Sequence, residues 1–171
     1  SNYINSDEDL KQQFDHALSN ARKVLAKETG KNLDEIQIEG LKQVIEDTKD
    51  ALNGIQRLSK AKAKAIQYVQ SLSYINDAQR HIAENNIHNS DDLSSLANTL
   101  SNASDLDNAM KDLQDTIESN SSSVPNSVNY INADKNLQIE FDEALQQASA
   151  TSSKTSENPA TIEEVLGLSQ A

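Results

Sequence analysis

Residues 2–21 read NYINSDEDLKQQFDHALSNA, and residues 129–148 read NYINADKNLQIEFDEALQQA. Eleven of the 20 positions are identical without a gap, among them Asn2/Asn129, Tyr3/Tyr130, Ile4/Ile131, Asn5/Asn132, Leu10/Leu137, Phe14/Phe141 and Ala17/Ala144. The offset, from 2 to 129, is 127 residues, and it returns at Gly40-Leu41-x-Gln43 and Gly167-Leu168-x-Gln170. A repeat of that length makes the chain one full copy plus about a third of a second, expected to come from a longer array. It favours a modular rod over a single compact core.

Composition agrees with thin helical modules. Apolar residues make up 36% of the 171, below the ~45–50% usual in globular domains. Aromatics are 4%, Trp is absent, and there are only 4 Gly and 2 Pro, too few for sheets with tight turns. The net charge of −12 disfavours nucleic acid and anionic lipid as partners, because both need clustered Lys and Arg. No apolar run approaches the ~20 residues that span a bilayer. Cysteine is absent, which excludes disulfides and thiolate metal sites.

Outward from the repeated phrase, Asp7, Glu8 and Asp9 mark a helix start that Asn5 or Ser6 can cap. Leu10, Phe14, Ala17, Leu18, Ala21, Val24 and Leu25 form one apolar stripe. Thr29-Gly30-Lys31-Asn32 ends it, with Gly30 suited to a left-handed C-cap. Asp34 opens a second helix whose three-four spacing continues past Gly54 to Leu72. This reads either as one long helix, kinked at Asn53-Gly54, or as two helices meeting there. A turn at Ser73-Tyr74 precedes a third helix over about 75–87. His88-Asn89-Ser90 is expected to turn, with Ser90 capping Asp91-Asp92. The stripe Leu93, Leu96, Leu100, Ala103, Leu106, Met110, Leu113, Ile117 then predicts a helix of nearly thirty residues, with a break at Ser104 as the competing reading. Residues 119–128, SNSSSVPNSV, are read as a linker outside any helix. A fifth helix covers about 133–150, and a sixth starts at Thr161.

A hairpin of two amphipathic helices cannot close a core alone. Shared helices solve this. The second helix would serve two neighbouring bundles, and residues 104–118 would supply a third wall for the hairpin of the second copy. The expected fold is all-α, an elongated array of three-helix bundles joined by long shared helices.

These residues resemble a known family. Residues 3–54, with NYIN, the Leu10–Phe14–Ala17–Leu18–Ala21 stripe and the ending Asp50-Ala51-Leu52-Asn53-Gly54, resemble a FIVAR module. Residues 52–118 resemble a GA module through Leu58-x-x-Ala61-Lys62-x-x-Ala65-Ile66 and Leu72. Ile75-Asn76-Asp77-Ala78-Gln79 and Leu106-Asp107-Asn108-Ala109-Met110-x-x-Leu113 complete that signature. FIVAR-GA pairs repeated at about this length are similar to those of giant staphylococcal extracellular-matrix-binding surface proteins. The division expected is a FIVAR-like module at 1–54, a GA-like three-helix module at 55–118, the linker at 119–128 and a partial second FIVAR-like module at 129–171.

The resemblance implies an extracellular, fibrous, cell-wall-associated adhesin with host fibronectin as partner, linked to biofilm, aggregation and virulence. Its anchor to the wall or membrane would lie outside this segment. GA modules elsewhere bind serum albumin through aromatics on their second helix. Ile75–Ile87 holds none, which disfavours albumin here. No residue-level fibronectin motif carries over, so the ligand-binding residues stay unassigned.

The residues that could carry chemistry read more simply as structure. His81 and His88 are seven apart and lack the further ligands a metal needs. Asp7-Glu8-Asp9, Asp91-Asp92 and Asp105/Asp107 are explained by helix starts. Asp134 to Glu143 lacks the central Gly of a calcium loop and lies on an amphipathic stripe. Glu140 and Glu143 are a solvated pair. No serine sits in a G-x-S-x-G elbow, and no Gly-rich phosphate loop exists. Lys60, Lys62 and Lys64 form the one basic cluster, read as a solvated face or, more sharply, a contact for an acidic partner. Tyr3 and Tyr130 read as plugs at bundle ends or as interaction aromatics. Neither enzyme activity, cofactor, metal nor small-molecule substrate is expected. Two readings remain: a matrix-binding adhesin repeat, weak singly and strong by avidity, and a structural spacer with no ligand of its own.

Overall fold

The computed structural model describes residues 1–26, 30 and 32–170. Among these every regular element is helical, as the periodicity predicts. The chain divides into two compact units: Ser1–Ala61 with Asp91–Leu93, and Lys62–Ser90 with Ser94–Ala171.

The first unit opens with a single helical turn, α1 (Asn2–Asn5), then α2 (Glu8–Leu25) and α3 (Glu35–Asp50). α2 packs along α3. The start of α2 meets the end of α3 through paired bonds between Asp7 and Asn53, so the two run antiparallel. Asp7, not Asn5 or Ser6, is the N-cap of α2. It makes no capping bond, because its carboxylate is held by Asn53 Nδ2 at 2.7 Å and Arg57 Nε at 3.2 Å. Glu8 and Asp9 occupy the first turn, and Arg22 and Lys23 the last, in the order the helix dipole favours. α2 ends at Leu25 and the chain leaves through extended Ala26, so no left-handed residue is required. Gly30 accordingly has no positive φ, contrary to the expected C-cap. Its small size matters instead, since a Cβ would lie 2.4 Å from the carbonyl oxygens of Val24 and Ala26. Thr29 and Lys31, read as part of the same stop, lie outside the described residues. α3 starts as expected at Asp34, with a capping box to Gln37.

The three-four pattern over 34–72 is not one helix. α3 stops at Asp50, and α4 (Gly54–Ser71) begins after three non-helical residues. The cause is remote. The Ser6 hydroxyl accepts the Gly54 N–H at 2.9 Å, and Asn2 Oδ1 accepts the Ile55 N–H at 3.0 Å. These are the orphan amides of a helix start, capped by side chains about fifty residues earlier. Asn2 Nδ2 also donates to the Leu52 carbonyl at 3.1 Å. α4 begins in the first unit and continues into the second.

In the second unit α5 (Asp77–Asn89) starts with a capping box between Asn76 and Gln79. Bonds from Lys62 Nζ to the His88 carbonyl and from Gln70 to Glu84 join it to α4. His88 and Asn89 are helical rather than a turn. Ser90 is the C-cap of α5, its hydroxyl donating back to the Asn86 carbonyl, and not the N-cap of the next helix. That helix, α6 (Leu93–Ser123), is unbroken over 31 residues, with no interruption at Ser104. Ala65 and Val69 of α4, Ile75, Ala83 and Ile87, and Leu96 and Ala103 of α6 are buried.

α6 continues through the serine run expected to be linker. The hydroxyls of Ser119, Ser121 and Ser122 bond back to the carbonyls of Thr116 and Glu118, satisfying the polar groups within the helix itself. Pro125 enforces the stop, since the residue before a proline avoids helical geometry. α7 (Val128–Ile131), α8 (Lys135–Ser152) and α9 (Ile162–Gln170) complete the chain. Ala109, Met110 and Leu113 from the second half of α6 form a core with Ala148, Ala160 and Val165, flanked by Leu106, Ile117, Ile162 and Leu168. The third wall for the second hairpin is therefore α6, as helix counting predicts. Asp105 and Asp107 lie inside α6, not at a start. Asp107 Oδ1 accepts the main-chain N–H groups of Tyr74 and Ile75 at 2.6 and 3.0 Å and fixes the α4–α5 turn.

Candidate functional site

The polar chemistry of the chain concentrates at helix corners, and one phrase recurs there. Tyr-Ile-Asn occurs at 3–5, at 130–132 and also at 74–76, outside the 127-residue register of the long repeat. The third copy is visible in the sequence once short phrases are compared at any spacing.

Asn5 is 2% exposed. Its Nδ2 donates to the Asp91 carbonyl at 3.1 Å and its Oδ1 accepts the Leu93 N–H at 3.0 Å. The Asn5 carbonyl accepts from Arg57 at 2.8 Å. Asn2 and Asn5 together thus hold the α3–α4 and α5–α6 corners of the first unit. Gly54 sits where a Cβ would lie 1.9 Å from the Asn2 carbonyl oxygen, so no side chain fits between α1 and the start of α4.

Asn76 is fully buried, at 0% exposure. Its Nδ2 donates to the carbonyls of Thr151 (3.2 Å) and Asn158 (2.9 Å), and its Oδ1 accepts the Gln79 N–H. Gln79 Nε2 reaches the Ala160 carbonyl at 2.8 Å, and the Asp77 N–H donates to the Lys154 carbonyl at 2.9 Å. The α8–α9 corner is thereby tied to the start of α5. Arg80 completes the site by donating to the carbonyls of Val69 and Leu72 at the end of α4. Burying these amides is tolerable only because each meets a partner.

The tyrosines are anchored. Tyr3 packs its ring on Phe14, with centroids 6.1 Å apart, and its phenol donates to Asp15 at 2.6 Å. Tyr130 repeats this with Phe141 at 5.7 Å and Asp142 at 2.8 Å. In both, the hydrogen bond to the carboxylate raises the phenol's pKa above its ordinary value. Both rings are thus held against the helix that follows them, with Tyr3 37% exposed and Tyr130 half-buried.

The remaining candidates stay apart. Lys62 is bonded to the His88 carbonyl, while Lys60 and Lys64 are exposed. His81 lies 3.9 Å from Glu84, and His16 is near Asn20. Glu140 and Glu143 are exposed on α8, whose N-cap is Asp134. Among the described residues no three His, Asp or Glu side chains converge as metal ligands. Clefts in the second unit of about 230 and 260 Å³ fall below the ~300–1,000 Å³ typical of small-molecule sites. No described helix is long and apolar enough to cross a membrane. What the surface does offer is apolar side chains on the first hairpin: Leu25, Ile36, Ile38 and Val44 are all at least half exposed.

Helical hairpins, helix corners capped by distant side chains and one helix shared between hairpins define a modular helical repeat protein. The chain belongs to the FIVAR domain family, whose model matches residues 1–53 and 109–168, with a GA module matched at 55–109. It is 37% identical over 169 residues to the extracellular matrix-binding protein ebh of Staphylococcus aureus strain NCTC 8325, and equally to EbhA of strain Newman. These alignments take in 99% of this chain but only 2% and 5% of the relatives' lengths. The crystal structure of the EbhA 756–1003 domain from S. aureus superposes with a TM-score of 0.89 at 28% identity, covering 99% of this chain and 68% of that one. A structure from work on Embp-mediated adherence of Staphylococcus epidermidis to fibronectin shares the fold, with a TM-score of 0.55 at 24% identity over 67% of this chain and 96% of that one.

Proposed function

We propose that this chain is a repeat of a bacterial cell-surface adhesin that binds host extracellular matrix, chiefly fibronectin. The observation that carries the reading is the match along nearly the whole chain to proteins named for extracellular matrix binding. The proposed modules are 1–54, 55–118 and 129–171, joined by 119–128, in a protein held at the cell wall. The sequence shows no concentrated hot spot, and the exposed apolar side chains Leu25, Ile36, Ile38 and Val44 spread along the first hairpin, so one unit would bind weakly over a broad face. Tandem copies would add strength by raising effective concentration. Albumin is disfavoured as the partner, since the second helix of the GA-like module, α5, carries no aromatic side chain.

The spacer reading is favoured by one specific observation: the buried amides of Asn5, Asn76 and Gln79 are committed to holding helix corners, which stiffens a stalk whether or not it binds anything. The test is binding of this chain, alone and in tandem series, to immobilised and soluble fibronectin, with albumin alongside. Weak single-unit binding that rises steeply with copy number supports the adhesin. No binding at any copy number overturns it in favour of the spacer.

A further inference from the structure

We infer that the Tyr-Ile-Asn phrase is a docking element for helix corners, and that its copy at Tyr130-Ile131-Asn132 is a site for the α3–α4 and α5–α6 corners of a second copy of this repeat. The two engaged phrases share one chemistry. In each, a buried asparagine amide faces a chain reversal and meets main-chain groups there, Asp91 O and Leu93 N–H for Asn5, Thr151 O and Asn158 O for Asn76. A corner is where orphan amides and carbonyls collect, and an asparagine supplies both a donor and an acceptor in one planar group. The recognition reads backbone, not side chains.

The third phrase is unengaged. Asn132 is exposed, and its Nδ2 bonds only to the Val128 carbonyl of its own turn. Asn129 is exposed as well. The matching Asn2 and Asn5 hold their partners 50 to 88 residues further along the chain, and residues 129–171 contain no counterpart of either corner. The occupant is a copy of the first corner set rather than an α8–α9 corner, because residues 129–148 match 2–21, including Asp134 for Asp7. Ala133 stands in place of Ser6, so the second joint lacks the hydroxyl that takes the Gly54 amide and rests on the two asparagines.

The test uses the full chain and the same chain extended by its own residues 45–128, which completes the second copy because Ala171 aligns with Val44. Native-state amide exchange is measured in both. Asn5→Ala in the 171-residue chain accelerates exchange at Leu93 by about tenfold or more, the effect of removing one buried hydrogen-bond partner. Asn132→Ala leaves all amides unchanged in that chain. In the extended chain it accelerates the second copy's equivalent of Leu93 by a similar factor. A silent Asn132→Ala in the extended chain overturns the proposal, as does an equal effect in both chains, which would make Asn132 a purely local cap. If the variants unfold, the side-chain amide protons of Asn132 in the unsubstituted proteins decide. Slowing by about tenfold or more on extension supports docking, and unchanged exchange overturns it.

Discussion

The two hairpins, α2–α3 and α8–α9, descend from one sequence pattern and end in different states. Val165 of the second is 0% exposed, whereas Ile38, its equivalent in the first, is 51% exposed. The second hairpin closes on Ala109, Met110 and Leu113 of α6, and no residue of α3 in the first is buried. An amphipathic hairpin therefore specifies the shape of its apolar face but not its burial, which depends on a third helix from outside the module. A β-branched apolar residue at the same register has core energetics in one copy and surface energetics in the other.

The largest expected effect comes from removing that wall. Leu113→Ala should cost about 2–5 kcal/mol in urea unfolding, and loosen the α8–α9 amides in hydrogen exchange while leaving α2–α3 unchanged. Equal loosening of both hairpins would break the comparison. Next, Val165→Ala should cost about 1–3 kcal/mol and Ile38→Ala under about 1, measured by the same unfolding. Matching losses would mean that Ile38 is covered. The glycines should behave alike, since a Cβ at Gly40 or Gly167 meets nothing within 4 Å and both lie inside helices. Each Gly→Ala change should stabilise by up to about 1 kcal/mol. The smallest effect is also shared. The Tyr3 and Tyr130 phenols should both ionise above pH 10 in an absorbance titration, because Asp15 and Asp142 hold their protons. A raised folded-state value means that any contribution is intact below the unfolded phenol's pKa and is lost as pH climbs through the higher one. Tyr→Phe at either site should abolish that site's titration.

Much of the architecture was legible in apolar spacing. The helices at 8–25, 77–89 and 135–152 follow from stripes at three and four, and the role of α6 as a shared wall follows from counting faces. What spacing could not reveal was contact at a distance. The pattern from Ile38 to Leu72 carries on with one slip near Gly54, and there Ser6 and Asn2 capture the amides of Gly54 and Ile55 and split the helix. The serine run misleads in the other direction, because poor helix formers bond back to their own turn. In the sequence Asn76 and Gln79 stand out only as part of the GA-like signature, and the structure makes them a capping box. Only the fold shows that the same two amides also hold Thr151, Asn158 and Ala160. The ligand-binding residues stayed unassigned because a broad, polar helical surface has no local signature.

The unbroken run of α6 has a consequence for how this repeat tolerates change in length. One helix presents Leu96 and Ala103 to one core and Met110 and Leu113 to the next. Each residue advances a helix by about 100°. A single deletion between Ala103 and Ala109 would swing one apolar face about a quarter-turn out of phase with the other, and no loop lies between them to absorb the error. The same deletion among Ser121–Ser123, all exposed, falls past Ile117 and Asn120 and shifts the approach to Pro125. Indels in this protein are thus a matter of phase: the middle of α6 is a keyed shaft, and its serine end is free to slip.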